Sequence, residues 1–163
     1  MKFIRIGRIV NTHGIKGELK IISDFKYKDR IFKNGFPIYI GKEKNKEIIN
    51  TYRVHKSFDM ITLIGYTNIN EVLKYKGDYV FINGDDLILA KEEFLDEDLI
   101  GFNVIYNGIP NLSVIGIEKY PSSKMLKVKT NDKYKLIPLS NGIIDNIDLE
   151  KKEILIKDIE GLI

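Results

Sequence analysis

The sequence predicts an all-β protein of two domains from three features: recurrent short apolar runs, turn signals between them, and a change of net charge near the middle of the chain. The chain has 163 residues, enough for one ordinary domain or two small ones. It contains 29 Ile and one Ala, a bias toward β-branched side chains that fit pleated strands.

Individual strands are predicted where apolar and polar residues alternate. In residues 126–129 (LKVK) the apolar side chains point one way and the lysines the other, residues 19–21 (LKI) repeat the pattern, and Ile154 and Ile156 share a face. Turn signals separate the runs at Asn34-Gly35, Asn107-Gly108, Asn131-Asp132 and Asn141-Gly142. A spacing of about 10 residues between turns is typical of barrels and sandwiches.

One short helix is predicted after Asn68. Asn68 can cap it, Glu71 completes a capping box, and Gly77 can end it. Residues 24–32 are a second helical candidate, although their charged and aromatic residues show no clear period.

The domain boundary is predicted near residues 83–86 (NGDD), which gives domains at 1–84 and 91–163 and a linker at 85–90. Residues 1–84 carry 16 Lys and Arg against 8 Asp and Glu, a net charge of +8. Residues 85–163 carry 10 against 15, a net charge of −5. Opposite charges indicate two different partner surfaces, and the acidic half is expected to repel RNA.

Composition argues against several classes of protein. Cysteine is absent, so no disulfide, thiolate nucleophile or Cys-based zinc site is expected. His13 and His55 are far apart in sequence and lack a paired-ligand motif, so no metal site is expected either. No apolar run approaches the roughly 20 residues of a membrane span, and the first residues do not resemble a signal peptide. We therefore expect a cytoplasmic protein.

Two polar patterns are candidates for an active site or a metal site. His55, Ser57 and Asp59 alternate, but no nucleophile-elbow sequence surrounds Ser57, so a polar, exposed strand face is the preferred interpretation. The acidic run 92–98 lacks the Asp and Gly spacing of a calcium loop and is expected to be a solvated linker face. The sequence thus predicts no catalytic residue and no cofactor, and a protein that is not an enzyme.

Residues 12–18 (THGIKGE) form the most informative segment. Gly14 and Gly17 indicate a tight turn between two strands, because glycine accepts positive φ at little cost. Near that turn lies a small basic surface that could bind phosphate, made of Arg8, His13, Lys16 and Lys20. A plain hairpin with incidental basic residues explains the segment equally well.

The same segment, within residues 7–20 (GRIVNTHGIKGELK), closely resembles the amino-terminal signature of the RimM family of bacterial small-subunit ribosome maturation factors. Later landmarks appear in family order, at 98–101 (DLIG), 136–138 (LIP), 147–149 (IDL) and 161–163 (GLI). The resemblance implies an N-terminal six-stranded β-barrel similar to a domain of translation factors, followed by a PRC-barrel domain.

The resemblance also implies a function. RimM proteins bind assembling 30S subunits, assist 16S rRNA processing and head assembly, and contact small-subunit ribosomal protein nineteen (the uS19 type), without a catalytic residue or cofactor. The expected partners are that protein and the precursor 16S rRNA within the 30S subunit, with no membrane involved, and the expected state is a monomer. Arg8, His13, Lys16 and Lys20 are the predicted RNA-binding residues. Phe94, Leu95 and Asp98 are the predicted protein-binding residues.

The chain departs from the family where its second domain begins. Phe94 and Leu95 stand in place of two tyrosines, which removes both hydroxyls. Asp98 is explained equally well as a carboxylate that stabilises its own turn. A rival interpretation is a PRC-barrel docking module for a non-ribosomal protein complex, and an RNA-modifying enzyme ranks third because no active site is found.

Overall fold

Twelve β-strands and two one-turn α-helices make up most of the regular structure in the computed structural model, which describes all 163 residues. The chain divides into two units, Met1–Ile88 and Leu89–Ile163. The division falls inside residues 85–90, whereas the domain limits at 84 and 91 remain predictions. The all-β class and the two-domain layout expected from the sequence are confirmed.

The first unit is a closed, antiparallel six-stranded barrel. Its strands are β1 (Phe3–His13), β2 (Glu18–Ile22), β3 (Pro37–Ile40), β4 (Asn45–His55), β5 (Phe58–Leu63) and β6 (Tyr79–Asn83). Their order is β1-β2-β5-β4-β3-β6, and β6 pairs with β1 to close the barrel. Branched apolar side chains fill the interior, and Leu19 and Ile21 are fully buried among them. The inward face predicted for residues 19–21 is thereby confirmed.

The predicted capped helix is also confirmed. It consists of α2 (Ile69–Val72), which follows α1 (Lys28–Ile31) in the chain and continues as a 3₁₀ turn at Leu73–Tyr75. The Asn68 side chain accepts a hydrogen bond from the Glu71 backbone N–H (3.3 Å), and the Glu71 carboxylate accepts one from the Asn68 N–H (3.1 Å). The helical candidate at 24–32 is reduced to the single turn of α1.

The second unit contains one six-stranded sheet. Its strands are β7 (Asn103–Ile105), β8 (Ser113–Tyr120), β9 (Ser123–Thr130), β10 (Lys133–Pro138), β11 (Ile144–Asp148) and β12 (Glu153–Ile156). The order is β10-β9-β8-β7-β12-β11, with β7 and β12 parallel and the other neighbours antiparallel. Leu126, Val128, Ile154 and Ile156 lie in its core, as their alternation predicts.

Residues 55–59 do not form one strand, and the expectation of a shared polar face there is wrong. β4 ends at His55 and β5 begins at Phe58, so that Lys56 and Ser57 form a two-residue turn with φ values of 47° and 67°. Positive φ at both positions is typical of a type I′ hairpin turn, which usually carries Asn-Gly. Without those residues the turn has no recognisable sequence signal.

Asp59 consequently points into the protein. Its side chain is buried, the Tyr52 hydroxyl donates a hydrogen bond to one carboxylate oxygen (2.6 Å), and the Lys28 ammonium lies 2.8 Å from the other. Burial and the bond to Asp59 raise the pKa of Tyr52 to about 12. Asp59 therefore joins β5 to β4 and α1, which is a structural role.

The loop of residues 14–17 packs on the start of α2. The backbone N–H of Ile69 donates to the carbonyl of Ile15 (2.9 Å). Gly14 and Gly17 have φ values of 76° and 88°. A Cβ on Gly17 would lie 2.9 Å from the Asn68 carbonyl oxygen, whereas one on Gly14 would have no neighbour within 4 Å. Gly17 is thus constrained by both φ and space, and Gly14 by φ alone.

We expect Gly17→Val to destabilise the protein more than Gly14→Val. Valine at either position is strained by roughly 1–3 kcal/mol, because a β-branched residue disfavours positive φ. Only Gly17→Val adds a clash with Asn68. The free energy of unfolding of each variant, measured by denaturant titration, tests this. Equal destabilisation would contradict the packing of the loop on α2, and two variants as stable as the parent would contradict the positive φ values.

Candidate nucleic-acid and protein-binding surfaces

Three of the predicted RNA-binding residues lie on the outer face of the hairpin formed by β1 and β2. Residues that lie opposite each other in an antiparallel pair share a face. Ile9 and Ile21 form such a pair and point into the core, whereas the pairs that contain Arg8, Lys20 and His13 face outward. Arg8 and His13 are five residues apart on β1, a distance of roughly 16 Å along the strand.

Lys16, the fourth residue, is exposed in the loop 14–17 at the tip of this hairpin. The hairpin therefore carries all four predicted residues. His13, Lys16 and Lys20 belong to its tip, whereas Arg8 lies toward its other end.

Strands β4 and β5 add residues to the tip that the sequence analysis did not identify as binding residues. The ring centroids of His13 and His55 are 5.6 Å apart, and the Lys20 ammonium lies 4.1 Å from the centroid of the Phe58 ring. Partial burial, together with the neighbouring cations, of which Arg53 contributes most, lowers the pKa of His55. The lowered pKa favours the neutral imidazole of His55, which offers hydrogen bonding without positive charge.

Glu18 lies opposite His13 in the strand pairing, and its carboxylate forms an ion pair with Arg53 of the same barrel. The Arg53 guanidinium donates two hydrogen bonds to it, of 2.8 and 2.7 Å, and this interaction lowers the pKa of the Glu18 carboxyl. The pair connects β2 to β4 across β5. The negative charge of Glu18 is thereby compensated, so that the tip of the hairpin remains attractive to phosphate.

A second group of cations surrounds Tyr79 near the other end of the hairpin. The guanidinium carbons of Arg5 and Arg8 lie 4.6 and 5.7 Å from the Tyr79 ring centroid, and Arg8 also donates a hydrogen bond to the Gly77 carbonyl (3.1 Å). These distances are in the range of cation–π interactions. Arg5 and Tyr79 carried no signal in the sequence, because only the pairing of β1 with β6 brings them together.

The aromatic and basic character continues beyond Tyr79. The Lys44 ammonium lies 4.1 Å from the ring centroid of Phe81 and 5.7 Å from that of Phe3. Exposed cations beside aromatic rings are typical of surfaces that bind single-stranded nucleic acid. The outside of the barrel thus carries both positive charge and aromatic rings.

The predicted protein-binding residues already have contacts within the second unit. Leu95 is 8% exposed, and Phe94 is half-buried against the second core. The Asp98 carboxylate accepts a hydrogen bond from the Leu95 N–H (2.9 Å) in the 3₁₀ turn Asp96–Leu99. Leu95 is therefore too buried to contact a partner protein directly. Phe94 is partly exposed to solvent and Asp98 is exposed, so both can contact a partner.

Within the acidic run 92–98, Glu92, Glu97 and Asp98 are exposed, as expected of a solvated face, whereas the side chain of Asp96 is largely buried. The carboxylate of Asp96 lies 2.7 Å from the Lys124 ammonium and is 10% exposed, and that of Glu97 lies 3.0 Å from the Lys119 ammonium. Both lysines belong to the hairpin of β8 and β9, so these two ion pairs connect Asp96 and Glu97 to that hairpin.

The chain shows neither a metal cluster nor a membrane-spanning helix. No group of three or more His, Cys, Asp or Glu is arranged to hold a metal ion. None of the helices is both long and apolar enough to cross a membrane.

Comparison with known proteins agrees with the resemblance carried by residues 7–20. Residues 4–87 match the model of the RimM N-terminal domain. The ribosome maturation factor RimM of Staphylococcus haemolyticus is 38% identical over 98% of each chain, and that of Geobacillus kaustophilus is 31% identical over 99% of this chain and 97% of its own. The solution structure of the N-terminal domain of RimM from Thermus thermophilus is 18% identical, covers 55% of this chain and 98% of that one, and gives a TM-score of 0.47. The chain belongs to the RimM family of ribosome maturation factors.

Proposed function

We propose that the protein binds assembling 30S subunits in the cytoplasm as a monomer, and that it assists 16S rRNA processing and assembly of the head through binding energy alone. The outward-facing cations of the β1–β2 hairpin support this proposal most strongly. A ligand that binds one conformation of a partner more tightly than the others shifts the population toward it. No chemical step is needed for that effect.

The first unit supplies the RNA contact in this proposal. Arg8, Lys16 and Lys20 approach phosphates, and His13 lies between them with its ring beside His55. Each phosphate that is neutralised releases counterions, so binding should weaken steeply as salt rises. Carboxylate pairing of Glu18 with Arg53 keeps the hairpin tip free of repulsion.

The second unit supplies the contact with small-subunit ribosomal protein nineteen. In this proposal Phe94 is the apolar anchor, the buried Leu95 contributes to the packing of the same segment, and Asp98 belongs to a carboxylate rim. Charge at the rim of an interface mainly sets the encounter rate, whereas burial of an apolar anchor sets the lifetime. Ribosomal proteins are commonly basic, which suits the acidic run 92–98.

Charge reversal at Arg8, Lys16 and Lys20 should weaken binding to precursor 16S rRNA and flatten its salt dependence. Loss of three phosphate contacts reduces the slope of log affinity against log salt by about 2 to 3. The measurement is a salt series of RNA affinities for the parent and the triple Glu variant. A matched control reverses Lys33, Lys42 and Lys46, which lie outside the hairpin, and should leave the slope closer to that of the parent. Equal effects of the two triple variants would refute a specific role of the hairpin.

Phe94→Ala should weaken binding to small-subunit ribosomal protein nineteen by about 2 kcal/mol or more, the size of an interface hot spot. Because Phe94 also packs against the core, Leu95→Ala is the control for lost packing. It should lower the melting temperature without a comparable loss of affinity when both variants are folded. The affinity of each variant for the isolated ribosomal protein is measured by calorimetric titration. Unchanged affinity for Phe94→Ala would rule out the anchor.

A further inference from the structure

The outer face of the second sheet contains a polar depression of about 440 Å³. It is lined by Asn103, Asn111, Leu112, Ser113, Lys129 and Asn131. Three carboxamides, a hydroxyl and an ammonium provide hydrogen-bond donors and acceptors within one small volume. The size falls within the range of about 300–1,000 Å³ that is usual for small-molecule sites.

The strand register places an exposed aromatic ring beside this depression. Asn103 lies opposite Ser113, Ser113 opposite Lys129, and Lys129 opposite Tyr134, so the four residues form one row on one face. Tyr134 is 53% exposed, and the Lys127 ammonium lies 4.1 Å from its ring centroid. We call Lys127, Lys129 and Tyr134 the lysine–tyrosine face.

The charge around this face is opposite to that of the rest of the second unit. Residues 113–138 carry six Lys against two acidic residues, a net charge of +4, whereas the remainder of the unit (89–112 and 139–163) carries 4 Lys against 11 Asp and Glu, a net charge of −7. Lys119 and Lys124 are paired with carboxylates, as described above. Lys127 and Lys129 belong to no ion pair and remain available to an anion.

We propose that the lysine–tyrosine face and the adjoining depression bind a short segment of single-stranded RNA. The two ammonium groups attract phosphates and the exposed ring of Tyr134 stacks on a base. The carboxamides of the depression bond to the Watson–Crick edge of a base, which is accessible only when the RNA is unpaired. Glu153, which lies opposite Asn103, repels phosphates at the far end of the row. The phosphates therefore follow β9 and β10.

This inference goes beyond the proposed function, which assigns RNA binding to the first unit, and it rests on that function only for the choice of RNA as partner. An acidic protein segment is the other ligand that cations attract. The polar lining and the exposed ring favour unpaired nucleotides over an acidic peptide. A nucleotide uses the ring for base stacking and the three carboxamides for hydrogen bonds to the base, whereas the carboxylates of an acidic peptide would interact mainly with the lysines.

The test uses the full-length chain with Arg8, Lys16 and Lys20 changed to Glu, so that the hairpin no longer attracts RNA. Binding of a short fluorescent single-stranded RNA is measured by anisotropy across a salt series. Tyr134→Ala in this background should weaken binding roughly 5- to 150-fold, the loss expected from one stacked base. The double change Lys127→Glu and Lys129→Glu should reduce the salt slope by at least about 1.4, since each phosphate on a single strand contributes about 0.7.

Lys151→Glu with Lys152→Glu is the matched control, because it makes the same change of charge in the same unit in the turn between β11 and β12. It should leave affinity closer to that of the background. Equal RNA affinity for the control and the lysine–tyrosine variants overturns the inference. It is overturned equally if those variants lose a protein partner while RNA binding is kept. The inference is also overturned if the unchanged protein binds RNA but the variant with Arg8, Lys16 and Lys20 changed to Glu binds none. That result would leave the proposed function intact.

Discussion

Closure of the first barrel through β1 is the constraint on which the rest of the proposed RNA surface depends. This single 11-residue strand pairs with β2 on one side and with β6 on the other. Shifts of register after Arg5 and after Ile9 mark irregularities of the bulge type, which bend and twist a strand. Gly7 permits close packing there, because a Cβ would lie 2.6 Å from the Ile22 carbonyl oxygen. The pairing that closes the barrel therefore also aligns its outward cations.

Local patterns predicted much of this fold because they depend on neighbouring residues alone. The Asn68 capping box requires residues three apart, and it forms as expected. The alternation at 126–129 likewise assigns Leu126 and Val128 to the core without knowledge of their partner strands. The basic hairpin at 7–20 belongs to the same class, since its two strands are joined by four residues. The sequence therefore predicts structure well where the interacting residues lie within a few positions of each other in the chain.

The contacts that the sequence did not predict depend on register between distant strands. Arg53 meets Glu18 only through the pairing of β5 with β2 and β4, and Arg5 meets Tyr79 only through the pairing of β1 with β6. A shift of one residue would turn each of these side chains to the other face. Asp59 was misjudged for a related reason, because the Lys56-Ser57 turn has no glycine or asparagine to signal where one strand ends. The net charge of −5 across residues 85–163 conceals the basic residues of 113–138, which the pairing of β8, β9 and β10 brings onto neighbouring strands.

In the proposed function, the outward-facing cations of the first unit and the apolar anchor of the second unit act through binding energy alone. The central claim is that the protein prefers the assembling subunit to the finished one, and co-sedimentation with purified precursor and mature 30S subunits tests that claim most directly. The account predicts that the protein sediments with precursor subunits and much less with mature ones. Equal binding to precursor and mature subunits would contradict this claim. No binding to either would also contradict it, and would favour a docking module for a non-ribosomal complex.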